Sequence, residues 1–148
     1  MTRLEANKQG PLLIIDDLKK HFPICKGLLS RTVGYVHAVN GVNFSIRHGE
    51  TLGLVGESGC GKSTVGRCIL KLYEPTAGRI IFEDQNIAQL DKQSLTHFRM
   101  NVQMIFQDPY SSLNPRLRVR DIIGETLKVH GLVPKGEVGD RVKELMSA

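Results

Sequence analysis

The chain contains no tryptophan, three tyrosines and five phenylalanines in 148 residues, three cysteines, and no apolar run near the length of a membrane span. Each shortage excludes something. A bilayer-crossing helix needs about eighteen or more consecutive apolar residues, so no such helix is expected. Residues 1–10 lack the apolar centre of a secretory leader. The protein is therefore expected in the cytoplasm, touching a membrane only through partners. The cysteines, Cys25, Cys60 and Cys68, show no C-x-x-C spacing, and their odd number without a leader predicts free thiols in a reducing compartment. The five histidines, at 21, 37, 48, 97 and 130, are dispersed in sequence without metal-ligand spacing, so no structural metal is expected.

The net charge of +5 raises the question of nucleic acid. Its basic residues are scattered and aromatics are few, whereas a nucleic-acid footprint is a clustered basic stripe. The tightest alternation, Arg116, Arg118 and Arg120, reads as a solvated loop face, and no direct nucleic-acid partner is expected. Hydrophobic content of 41% and charged content of 24% suit one globular domain with a real core.

What is present centres on Gly56-Glu57-Ser58-Gly59-Cys60-Gly61-Lys62-Ser63, which fits G-x-x-x-x-G-K-[ST], with Thr64 next. Before it, residues 51–55 (TLGLV) read as a buried strand; after it, Val65, Ile69 and Leu72 recur as one helix face. Strand, glycine loop and helix form the setting of a phosphate-binding loop. Glycines let the main-chain amides approach a dense anion, and the helix N-terminus adds its positive end. Lys62 is placed for the β- and γ-phosphates, Ser63 for Mg²⁺, and Thr64 for the α/β-phosphates. Cys60 reads as a small residue tolerated in the loop.

Along the chain, residues 12–15 (LLII) read as a first strand closed by Asp16 and Asp17. Residues 23–35 have loop composition, with Pro23, Gly27, Ser30 and Gly34. Val36, Ala38, Val42, Phe44 and Ile46 alternate with polar residues, predicting half-buried antiparallel strands ahead of the phosphate loop. Residues 79–82 (RIIF) and 102–106 (VQMIF) read as further strands, and Asp91 or Ser94 as the cap of a short helix through Arg99. Ile122, Ile123 and Leu127, then Val138, Val142, Leu145 and Met146, mark two amphipathic helices separated by Gly131 and Pro134.

At Gln107, 45 positions after Lys62, the chain resembles the nucleotide-binding domain of ABC transporters. The strings GLVGESGCGKST (53–64) and VQMIFQDPYSSLNPR (102–116) are similar to ATP-binding subunits of oligopeptide, dipeptide and nickel importers. The resemblance implies an α/β P-loop core with an N-terminal antiparallel β subdomain and the start of a helical subdomain. It assigns residues 1–11 to a tail, 12–107 to the β subdomain and core, and 108–148 to the exit from Gln107 and the first helical part. It implies ATP and Mg²⁺ as cofactors, Lys62 and Gln107 as catalytic residues, and Ser63 and Gln107 at the metal. It makes Gly56 through Thr64 the phosphate cradle, and Tyr35 the ring stacked on adenine, with Phe22 as its rival. Its implied partners are transmembrane permease subunits, a second ATP-binding subunit and, indirectly, a substrate-binding protein, at the cytoplasmic face of the inner membrane. Residues 108–120 would face the membrane subunits.

The departure is as informative. Between Gln107 and Ala148 there is no Leu-Ser-Gly-Gly-Gln signature, no hydrophobic strand ending in Asp followed by Glu, and no switch histidine. Glu125, Glu137, Glu144 and His130 do not occupy such positions. The expectation is a truncated subunit that binds ATP–Mg²⁺ weakly without turnover, the alternative being a non-catalytic remnant. Asp121-Ile122-Ile123-Gly124 fits the D-x-x-G of GTPases, but no N-K-x-D follows and helical periodicity explains the string. An ABC ATPase working on nucleic acid or ribosomes fits the 102–116 string less well.

Overall fold

The computed structural model describes residues 10–27, 30–106, 108, 113–134 and 136–147. They divide into two compact units, Met1–Leu95 and Thr96–Ala148. The first is built on a four-stranded antiparallel sheet in the order β2-β1-β3-β4, from β1 (Pro11–Lys26), β2 (Arg31–Arg47), β3 (Ala77–Phe82) and β4 (Gln85–Asn86).

The first two strands run far beyond the sequence expectation. β1 does not stop at Asp16 and Asp17, and of 23–35 residues 23–26 and 31–35 are strand. The physical reason lies in a bulge. Asp17 takes a positive φ of 46°, and its amide donates to Asn43 Oδ1 at 2.8 Å, so a side chain across the ladder satisfies the slipped residue. The slip changes the phase of the strand. Leu13 and Ile15 bury odd positions, and after the bulge Leu18 buries an even one, at 0% exposure. Arg79 pairs with Asp16 across β1 and β3 at the same place. Pro23 is tolerated because β1 contacts β3 only as far as Lys19↔Ala77, leaving that edge of the ribbon without a ladder to feed.

Ile80 lies opposite Ile15, and with Leu18 and Cys68 these are the largest fully buried side chains. Each such aliphatic residue contributes about 1.5–3 kcal/mol on burial. Helix α1 (Lys62–Ile69) adds Val65 and Cys68 to the interior. Burial pushes the Cys68 thiol above its ordinary range, against a smaller opposing effect of Lys20. Two residues with positive φ, Glu83 and Asp84, turn β3 into β4, and a 3₁₀ turn, Ile87–Gln89, follows. In α2 (Lys92–Asn101) the cap is Asp91, whose Oδ1 accepts the Ser94 amide at 2.8 Å.

In the second unit, α3 (Val119–Val129) and α4 (Val138–Ser147) bury Leu127, Val138 and Val142 against Ile123 and Val133. Gly124 makes the approach close: a Cβ there would lie 3.2 Å from Val138 Cγ1. Among the described residues no helix is long and apolar enough to cross a membrane.

Two predicted strands are not formed. Residues 51–55 and 102–106 pair with no strand among the described residues, and Val55 and Ile105 are 91% and 93% exposed. An apolar run becomes a buried parallel strand only when neighbours supply ladder bonds and helices cover both faces. The described elements supply neither.

Candidate functional site

The phosphate loop is formed although its leading strand is not. Gly61, at φ 95°, precedes α1, and the first intrahelical bond runs from the Val65 amide to Gly61 O at 2.9 Å. The amides of Lys62, Ser63 and Thr64 therefore stand at the open end of the helix, where the backbone carries partial positive charge. No acidic residue occupies the first turn to neutralise that end, and Arg67 in the last turn complements the opposite, negative end.

Lys62 folds back into the loop. Its ammonium donates to the carbonyls of Gly56 and Glu57, each at 2.6 Å, and lies 3.3 Å from Cys60 Sγ. A turn from the Cys60 amide to Glu57 O at 3.3 Å closes the arc. At Gly56 a Cβ would sit 2.7 Å from Cys60 Sγ and 4.0 Å from the Lys62 ammonium, so a side chain would fill the space inside the loop. Glu57, Ser58, Gly59, Cys60 and Ser63 are exposed, and Thr64 is half-buried. Donor amides, a lysine held inside the arc and an absent side chain fit a polyphosphate; the exposed Ser63 hydroxyl fits a hard cation beside it.

The loop rests on the sheet at one point. A Cβ on Gly61 would meet the Ala38 carbonyl oxygen at 2.1 Å, so backbone touches backbone between loop and β2. Sequence reasoning missed Ala38 because its role comes from hairpin register and carries no side-chain signal. Three positions away along β2, Tyr35 is 57% exposed opposite Pro23. Phe22, its rival, is engaged elsewhere, packed edge-on against Tyr73 at 5.3 Å between ring centroids. Gln107 lies outside the described residues.

Histidines dispersed in sequence do meet in space. His21 and His37 are opposite each other across β1 and β2 with ring centroids 4.0 Å apart. Among the described residues no group of three or more His, Cys, Asp or Glu is placed to hold a metal ion. The three cysteines are free, as expected, with Cys25 and Cys60 exposed.

Known proteins resemble this chain in sequence and in fold. A family model described as ABC transporter matches residues 39–148. The chain is 49% identical over 145 residues to the oligopeptide transport ATP-binding protein AppF of Bacillus subtilis, covering 97% of this chain and 44% of that protein. It is 50% identical over 137 residues to the glutathione import ATP-binding protein GsiA of Pectobacterium atrosepticum, covering 93% and 22%. Identity to the putative oligopeptide transport ATP-binding protein YkfD of B. subtilis is 52% over 122 residues, covering 82% and 35%. The chain thus spans less than half the length of these relatives. Among solved structures, the ATP-binding cassette MJ0796, a dimer in a post-hydrolysis state with ADP and Pi, matches with a TM-score of 0.68 at 25% identity, covering 89% of this chain and 54% of that one. CbiO1 from Clostridium perfringens, part of the transporter complex cbiONQ, matches with a TM-score of 0.61 at 25% identity, covering 93% and 49%.

Proposed function

The chain belongs to the ABC transporter family, and from that premise we propose that it is the nucleotide-binding front of an ATP-binding subunit that energises the import of peptides. The observation that carries this reading is the loop around Lys62, with its ammonium inside the arc and three amides at the open end of α1. Gly56 through Thr64 would cradle the phosphates of ATP. Ser63 and Gln107 would hold Mg²⁺, which when bound neutralises phosphate charge. Tyr35 would stack on the adenine; its exposure, and the engagement of Phe22 with Tyr73, support that choice. The domain division at Gln107 belongs to the same reading.

Oligopeptide and glutathione transport appear in the names of its relatives, and the peptide class of cargo is carried over from them. The partners are transmembrane permease subunits and a second ATP-binding subunit, with a substrate-binding protein engaged indirectly. The place of work is the cytoplasmic face of the cell membrane, with residues 108–120 turned toward the permease.

The test is nucleotide titration of the chain and of Lys62→Ala. Removing a charged hydrogen-bonding group from the phosphates is expected to weaken ATP binding by about 1.5–3 kcal/mol, roughly ten- to a hundredfold. Equal affinity in the two proteins would overturn the assignment.

A further inference from the structure

The residues that flank helix α1 link it to the β1–β2 ribbon on both sides, Gly61 before it and Tyr73 after it. The first is the backbone contact of Gly61 with Ala38. The second follows from how the helix stops. Lys71 adopts a φ of 52°, and bonds from the Lys71 amide to Cys68 O and from the Leu72 amide to Arg67 O, each 2.9 Å, form the paired bonds of a Schellman ending. That ending turns the chain back along its own helix, and the Tyr73 amide also bonds to Arg67 O.

Tyr73 consequently lies between helix and ribbon. Its hydroxyl lies 3.3 Å from Arg67 Nη1, and the Arg67 guanidinium stands 5.7 Å from its ring centroid. Its ring meets Phe22 edge to face, at 83° between planes. Lys20 closes the group, with its ammonium 5.0 Å from the Phe22 centroid and 5.9 Å from that of Tyr73, while donating to Glu74 O at 2.8 Å. Phe22 is opposite Val36 in the ladder, beside the Pro23↔Tyr35 pair. The far end of the helix is therefore tied, through Tyr73 and Phe22, to the ladder pair beside the one that carries Tyr35, whose ring leaves the other face of the ribbon, and the near end is tied next to the residues assigned to the phosphates.

We propose that Tyr73, through Phe22, Lys20 and Arg67, is a positioning residue that fixes the spacing between the phosphate loop and the base-facing segment of β2. The inference deepens the nucleotide-binding reading and rests on it. It makes a demand that mere stabilisation does not. A residue that only holds the fold together weakens all ligands of the site alike, whereas one that sets this spacing matters for a ligand that reaches both ends and not for one that occupies the loop alone.

The experiment measures ATP and inorganic tripolyphosphate, each with Mg²⁺, binding to the full chain and its variants, with melting followed in parallel. Tyr73→Ala is expected to weaken ATP about fivefold, the order of a lost aromatic contact, while tripolyphosphate stays within about twofold. Tyr73→Phe, which keeps the ring edge, is expected to hold both ligands within about twofold. If Tyr73→Ala does not melt cooperatively, Phe22→Leu makes the same comparison from the ribbon side, with a smaller shift in the same ratio. An unchanged ratio of the two affinities in the folded variant overturns the positioning role alone. Absence of ATP binding by the wild type, or binding indifferent to Lys62→Ala, overturns the nucleotide reading and this proposal with it.

Discussion

Gly61 carries two constraints at once: a left-handed backbone at φ 95° and a carbonyl oxygen 2.1 Å from where a Cβ would stand. Gly59, two positions earlier, has only the first, with φ 84° and nothing within 4 Å of a Cβ. Comparing the two separates backbone conformation from close approach. Gly59→Ala is expected to cost about 1–2 kcal/mol, the ordinary penalty of a left-handed L-residue. Gly61→Ala is expected to cost at least 1–2 kcal/mol more, roughly, because loop and strand must also move apart. Urea unfolding of both variants checks this; equal losses would mean that the contact with Ala38 has no weight. The motif announces both glycines in the sequence, but it does not distinguish them, since the carbonyl beneath Gly61 arrives from a strand more than twenty residues earlier.

Among the elements, the helices were the most readable. Asp91 and the periodic apolar residues of α3 and α4 specify them locally, and local signals survive whatever the rest of the chain does. The Ser94 amide and hydroxyl hold the Asp91 carboxyl below its ordinary range. Its folded pKa being depressed, the cap is complete above the ordinary carboxylate range and is lost as pH falls through the depressed value. Circular dichroism against pH is expected to show Asp91→Ala less helical than wild type at neutral pH, with the difference vanishing on acidification; a difference that persisted in acid would refute the ionic cap. The strands were harder to read, in two opposite ways. Residues 23–26 and 31–35 read as loop because of Pro23 and Gly34, yet the register with a facing strand and a free edge makes them ladder. Residues 51–55 and 102–106 read as core strand because they are apolar, yet apolarity expresses itself as strand only beside partners. A strand is a property of a pair, and the sequence of one member does not state whether the other is there.

For the whole molecule, the fold neighbours and the family are those expected from the phosphate loop and the 102–116 string. On the reading proposed above, the loop around Lys62 binds ATP–Mg²⁺, and a ligand that binds only the folded state stabilises it. ATP–Mg²⁺ is therefore expected to raise the melting midpoint of the chain, and an unshifted midpoint at saturating nucleotide would defeat the reading.

The ribbon also fixes an order of events during synthesis. Its closest ladder pair, Lys26↔Arg31, joins residues five apart, and its widest, Pro11↔Arg47, thirty-six apart. Such a hairpin zips outward from its turn without long loops to close, on the microsecond scale of hairpins. A ribosome adds only about 5–20 residues per second, so β1 and β2 can be paired before Gly61 has left the exit tunnel. The ladder on which the loop comes to rest thus needs nothing that follows Arg47 in order to begin pairing, and the loop arrives last at a place its predecessors have started to shape.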